Sequence, residues 1–516
     1  MWRGQRPGIL FGLVLLVGVS FWPAVLVAQM DDIAAELSWG STQTAPRGSR
    51  LAKVISAGEW GARVLRYKSS NGFRSEGYWL EYFDSRMVLT NRFELELPDK
   101  PRADLEDIIS LDRQLYLLLS RPAAEEQVSR VYIRPIGPTG QVIGDERLVA
   151  ELPANEKFRR RQFDLEYSRD TAFILLYNQL PPEKDGPEKF TLRVFDQQFQ
   201  LRWSRDVVLP YNDRSFGILS YQVDPQGNVY VLGRQQTAGN RGATAARYIL
   251  LAYTNDGREA VTYELELEGV AINALAVKIA GNGDLVCGGF YSTPGAVGST
   301  GICHIQLNPA SREAYLVHLL PFPEDFLQTV AQSANRKAMP ALISYRLREL
   351  TLRSDGGIVL VAEQFFREET SVPTYQGLQT TVFYHYNDIV VANISGTGEY
   401  TWLRQIPKLQ ETNDDGGAFS SFAQTTVQDR FYFLYNDHPD NFSPDKRQQY
   451  KMTDRESVIS LTEIDRAGTL KTIPLFVNRD AGVVARPRLC RQVGARVMLV
   501  YGEDGRDYRL GLLRFE

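Results

Sequence analysis

The sequence predicts an all-β fold: a β-propeller of eight blades, each of four antiparallel strands, closed into a ring by an N-terminal strand. Three observations carry that expectation. Short runs rich in Val, Ile, Leu, Tyr and Phe recur from about Lys53 onward with no sustained helical periodicity, and Asp, Asn and Gly punctuate them at turn positions. The runs group into a unit of apolar strand, tight turn, very apolar strand, polar loop, aromatic strand, second turn and outer strand. The unit repeats at roughly 50 to 70 residues, the sequence signature of a propeller blade. The strand count comes out even only when a segment near the N-terminus joins the last unit.

Taken in chain order, residues 1–28 carry Arg3 and Arg6, an apolar run from Ile9 to Trp22, Pro23, and a small-residue exit at Ala28. This pattern predicts a cleaved secretory signal peptide, an uncleaved anchor helix being the alternative, because the run is shorter than the roughly 20 residues a spanning helix needs. Residues 29–516 are read as a single propeller domain. Ala34 to Gly40 supplies the closing strand, within about 32–40, and 41–50 reads as an irregular connection.

Tight turns that open a very apolar second strand occur at Gly61, Asp112, Asp170, Asp224, Asn282, Asp355, Asp429 and Gly494, which makes eight. Asp, Asn and Gly suit such turns because they tolerate positive φ or bond their own backbone. The later turn occurs seven times, at Asp84, Gly140, Asp196, Asp256, Asn308, Gly396 and Asp465, so the last unit is one strand short. An unpaired edge of that length would be an aggregation template, which assigns the stray N-terminal segment to it. Seven blades is the alternative count. The predicted blades are 53–100, 103–153, 160–210, 213–268, 270–321, 345–408, 418–477, and 483–516 completed by the N-terminal strand, with a helical insertion at about 322–343.

Composition narrows the function classes. The 516 residues include 58 Lys plus Arg and 62 Asp plus Glu, a net charge of −4, with 43% hydrophobic residues. That excludes disordered, collagenous and multi-span membrane classes and leaves no electrostatic footprint for nucleic acid. Cys287, Cys303 and Cys490 permit at most one disulfide, a Cys287–Cys303 bridge between neighbouring strands being the open possibility, and are otherwise read as small buried apolar groups.

Catalytic signals are sparse. The nucleophile elbow, the P-loop and the dinucleotide fingerprint are absent, and His304, His318, His385 and His438 lack metal-ligand spacing, so no cofactor and no metal are expected. The most unusual segment is 411–421. It joins blade six to blade seven, and its Asn413, Asp414, Asp415, Gly416, Gly417, Ser420 and Ser421 offer close backbone approach beside neutral hydrogen-bonding groups. A turn that only satisfies itself is the competing reading, and it is preferred to calcium binding here and at Asn436 to Asn441. Glu363, Gln364 and Tyr291 stand at equivalent strand ends and are read either as a polar rim of one channel mouth or as places where strands meet solvent. Tyr375, Phe383, Tyr384 and Tyr386 are read as a stacking surface or as inter-sheet core.

The stretches Leu65 to Ser70, Asp284 to Ser292, Gly357 to Gln364, Tyr386 to Val391 and Thr412 to Gly417 resemble a family of uncharacterised secreted β-propeller proteins of gram-negative bacteria. The resemblance implies the propeller and an envelope or extracellular address, and it brings no assigned activity. The expected function is therefore a non-enzymatic binding or scaffold module, periplasmic or at the cell surface, for a protein or glycan partner, with no nucleic acid and no membrane span after signal cleavage. The alternative is a polysaccharide-acting hydrolase or lyase whose carboxylates converge in the channel.

Overall fold

The computed structural model describes residues 33–68, 77–97, 103–153, 163–181, 185–238, 244–311, 313–333, 341–375, 377–442, 450–451 and 456–516. The predicted signal peptide lies outside them. The chain is all-β and forms eight antiparallel sheets of four principal strands, an eight-bladed propeller. The inner strands of the first seven blades are Arg50–Gly58, Asp104–Leu111, Asp164–Tyr167, Phe216–Val223, Ala271–Ile279, Tyr345–Leu352 and Ala423–Val427. That of blade eight is Arg491–Gly494.

Burial follows blade position. Inner strands alternate between buried and accessible side chains because one side faces the channel, as in Ala271–Ile279, whereas second strands such as Leu285–Ser292 are buried on both faces. Asp224 shows how the hairpins between them form. Its carboxylate accepts the N–H groups of Gln226 and Asn228 at 2.9 and 2.8 Å, while Gly227 takes φ 81°.

Each pair of neighbouring blades shares one apolar cluster. Val64 of blade one meets Leu499, Tyr501 and Leu512 of blade eight, so the contact between last and first blades is built like the others, as is that of Leu232 and Leu250 with Cys287 and Ile305 between blades four and five. The N-terminal strand Ala35–Trp39 pairs with Asp507–Phe515 from Ala35↔Phe515 to Trp39↔Gly511 and is the outer strand of blade eight. Gln43–Thr44 also pairs with that strand, where the sequence suggested only an irregular connection.

Blade six is the unusual one. Its second and third strands, Ile358–Thr374 and Gly377–Ile394, run far past the sheet as a two-stranded arm where the sequence suggested a loop. Phe366 stacks on His385 at 4.3 Å at the base of the arm, and Tyr375 at its tip is 96% exposed. The helix Glu324–Ser333 precedes blade six, with Phe326 packed on Phe322. Cys287, Cys303 and Cys490 are all free and buried. Among the described residues, no helix is long and apolar enough to cross a membrane.

Candidate functional site

Inner strands start on one face of the ring, here the upper face, which also carries the connections from each outer strand to the next inner strand. On this face blade six begins with Tyr345, Arg346, Leu347 and Arg348. A bulge between Leu347 and Glu349 leaves Arg348 without a ladder partner and re-aims it. Arg346 then lies 4.1 Å and Arg348 6.0 Å from the Phe365 ring, whose own neighbour is Tyr386 at 4.6 Å. Arg488, from the connection into blade eight, approaches the Tyr386 ring at 5.6 Å and donates to its hydroxyl at 3.3 Å. Three guanidinium groups therefore surround one aromatic pair.

Beneath them lies a buried ionic knot. Glu363 is fully buried; its Oε2 accepts from Arg348 at 2.6 and 3.0 Å and from the Ser421 hydroxyl at 2.8 Å, and its Oε1 accepts from Lys408 at 2.9 Å. Lys408 Nζ also donates to the Tyr386 carbonyl at 2.7 Å and to Gln410 Oε1 at 2.9 Å. Burial pushes the Lys408 ammonium below its ordinary pKa, and Glu363 opposes that shift. Burial likewise raises the Tyr386 phenol, with Arg488 and Arg348 pulling it down, Glu363 pushing it up and Arg346 again pulling it down, so all three guanidinium groups and the carboxylate act on one hydroxyl.

The segment 411–421 frames this knot. The Asp414 backbone N–H donates to the Val382 carbonyl at 2.9 Å and its carboxylate accepts the Val382 N–H at 2.9 Å, capping the edge of the arm. Asp415 accepts the N–H groups of Gly417 and Ala418, an Asx turn. Arg488 donates to the carbonyls of Gly416 and Gly417, each at 3.0 Å. Gly417 has φ 69°, and a Cβ there would stand 2.4 Å from the Tyr386 ring, so glycine is needed for both conformation and space. Asn413 pairs with Phe383 in the ladder.

Of the residues singled out from sequence, Glu363, Ser421, Gly416 and Gly417 meet at this mouth. Ser420 is fully buried. Gln364 is also buried, donating to the Ile343 carbonyl and accepting from Asn387. Tyr291, 4% exposed, sits in the core between blades four and five and does not join the rim. Sequence reasoning did not single out Arg346, Arg348, Phe365, Lys408 or Arg488. The signal available for the first two was a pair of arginines two apart in a strand that should face the channel.

Below the mouth, Arg346, Arg348 and Glu349 line a cavity of about 640 Å³ together with Ser220, Gln222, Asn273 and Lys278 from the facing inner strands. Lys278 pairs with Glu349 at 3.5 Å. Glu166, in the same cavity, is held above its ordinary pKa by burial, an effect Lys278 opposes. A cavity of about 890 Å³ opens on the lower face among Asn282, Asp284, Tyr315, Arg353 and Asn393. Among the described residues, no three His, Cys, Asp or Glu side chains are placed to hold a metal ion.

No protein-family model matches the chain, and no curated protein matches it. Among solved structures it is similar to the polysaccharide lyase Uly1, with a TM-score of 0.38 and 10% identity over 82% of this chain and 92% of that one. It is also similar to the WD40 domain of SCAP from fission yeast, at 0.34 and 9% over 93% and 98%. An acylaminoacyl peptidase in complex with Z-Gly-Gly-Phe-chloromethyl ketone matches at 0.36 and 9% over 89% of this chain but 58% of that one, so the chain spans less than two thirds of the peptidase. These likenesses say nothing of what this chain binds.

Proposed function

We propose that the protein is a non-enzymatic binding module of the periplasm or cell surface that takes a protein or glycan partner at the upper channel mouth between blades six and eight. The observation that carries this reading is the engagement of Glu363. Both its oxygens are occupied by Lys408, Arg348 and Ser421, so it orients cations instead of exchanging a proton with a ligand. Of the two cations it orients, Lys408 is buried and Arg348 is accessible at the mouth, beside the accessible Arg346 and Arg488, on a rigid ring as a recognition surface requires.

The alternative of a polysaccharide hydrolase calls for two carboxylates free to act on one bond, roughly 5 to 9.5 Å apart, whereas a lyase calls for a base placed to take the proton beside a uronate carboxylate. Of the channel carboxylates described above, Glu166 is lifted and faces Lys278, and Glu349 is paired with that same lysine. Asp107, on the inner strand of blade two, is bound to Lys53 at 2.7 Å. The binding reading is tested by size-exclusion co-elution from envelope fractions. The wild-type chain is expected to carry a stoichiometric partner that Arg346→Ala/Arg488→Ala loses; a wild-type chain that elutes alone, or a partner retained equally by the double variant, would overturn it.

A further inference from the structure

We propose that the group recognised at this mouth is the carboxylate of an acidic sugar, a uronic-acid unit at the end of a glycan chain; this assignment rests on the binding reading above. The first argument is charge. Arg346, Arg348 and Arg488 converge on the Phe365–Tyr386 pair, and Glu363 is bonded to Arg348 and to the buried Lys408 beneath it. Glu349 nearby belongs to Lys278, and Asp388 accepts the Lys408 backbone N–H at 3.1 Å. No carboxylate partner is found for Arg346 or Arg488 among the described residues. A chain with a net charge of −4 thus gathers unmatched positive charge at one place.

The second argument is geometry. A guanidinium held over an aromatic ring is fixed in orientation while its N–H fork stays free, and that planar fork matches a carboxylate through two parallel bonds. Arg346 over Phe365 is held this way; Arg488 over Tyr386 spends its terminal nitrogens on the Tyr386 hydroxyl and the two glycine carbonyls, and so adds fixed positive charge beside that fork. The third argument is shape. On the blade-six side of the mouth, Arg346 and Arg348 line a concave space of about 640 Å³, within the range of small-ligand sites, whereas a folded partner needs roughly 800 Å² of surface on its own side. Ser220, Gln222 and Asn273 line that space with hydroxyl and amide groups, which suit sugar hydroxyls.

Titration calorimetry of the full chain with trigalacturonate, maltotriose and triglutamate is the test. Trigalacturonate is expected to bind, with affinity falling as salt rises. Arg346→Ala and Arg488→Ala are each expected to weaken it roughly tenfold or more, with Arg346→Lys only partly restoring it, since a point charge lacks the fork. The melting curve of each variant separates lost binding from lost folding, and the lysine variants keep the charge if an alanine variant fails to fold. Maltotriose binding as tightly as trigalacturonate, triglutamate binding as tightly or more tightly, or no saccharide binding at all would each overturn the assignment. A wild-type chain that still co-elutes with a partner sensitive to Arg346 and Arg488 while ignoring trigalacturonate would overturn the sugar assignment and leave the binding reading standing.

Discussion

Replacing Glu363 with alanine removes the carboxylate that compensates Lys408, whose side chain is wholly inaccessible to solvent. The Tyr386 carbonyl and Gln410 remain as uncharged hydrogen-bond partners, and Asp388 remains as a weaker opposing charge. Removing the bonded partner of a buried charge costs about 3 to 5 kcal/mol. At about 2.1 cal/mol/K per residue, a ring of roughly 480 residues unfolds with an entropy near 1 kcal/mol/K, so the melting temperature should fall by about 3 to 5 °C at pH 7. The burial-lowered pKa of Lys408 falls further once Glu363 is gone. The unfolded chain then binds the proton more tightly than the folded one, and stability rises with pH, so the gap to wild type should narrow between pH 7 and 9.5. Glu363→Ala/Lys408→Met removes the stranded charge as well and should recover most of the loss. Calorimetric melts of the three proteins decide the matter. A single variant melting within about 1 °C of wild type, or a double variant melting below the single one, would refute the account.

Three further outcomes follow from the same geometry. Burial, with His318 beside it, holds the His304 pKa down at about 4 against the opposing pull of Asp355, so the unfolded chain takes up the proton first. Acidifying from pH 6.5 to 4 should therefore remove about 3 kcal/mol of stability, and His304→Gln should flatten that limb of the pH–melting profile. Gly417→Ala, strained by its φ of 69° and clashing with Tyr386, should lose about 1 kcal/mol or more in melts and weaken trigalacturonate binding by displacing the carbonyls that hold Arg488. Burial raises the Cys303 and Cys490 thiols to about 12 and Cys287 higher still, so native protein at pH 8 should leave all three unreactive toward Ellman's reagent until denatured.

The propeller was legible because its signals are local. A run such as Asp355 to Val361 carries its own turn residues and its own apolar strand, and eight such runs fix a blade count without any long-range information. The arm of blade six was not legible, because Glu368 to Thr374 and Leu378 to Val382 are accessible on both faces and so lack the alternation that marks a strand against a core. The mouth was half legible. Glu363 stood out as a polar group at a strand end, Ser421 as a neutral hydrogen-bonding group beside a turn, and Gly416 and Gly417 as a doubled glycine. Arg346 and Arg348 were not marked, since a bulge is invisible to a periodicity argument, nor was Lys408, because the kink that buries it, between Asn387 and Ile389, depends on the partner strand. Arg488 arrives from another blade, and no spacing along the chain connects it to Tyr386.

Pairing the N-terminal strand with Asp507–Phe515 also sets an order in time. Arg509 reaches the Gly40 carbonyl at 2.9 Å across 469 positions of chain, so the ring can be sealed only after every intervening blade has been made. Bringing two points so far apart together carries a loop-closure cost of roughly 5 kcal/mol if the chain between them is still flexible, and far less once seven blades have already formed an arc. Sealing should therefore be the last and slowest event of folding. Until it happens the outer edge of Asp507–Phe515 is bare, and a neighbouring chain's Ala35–Trp39 could occupy it, so concentrated refolding should yield strand-exchanged dimers that dilute refolding does not.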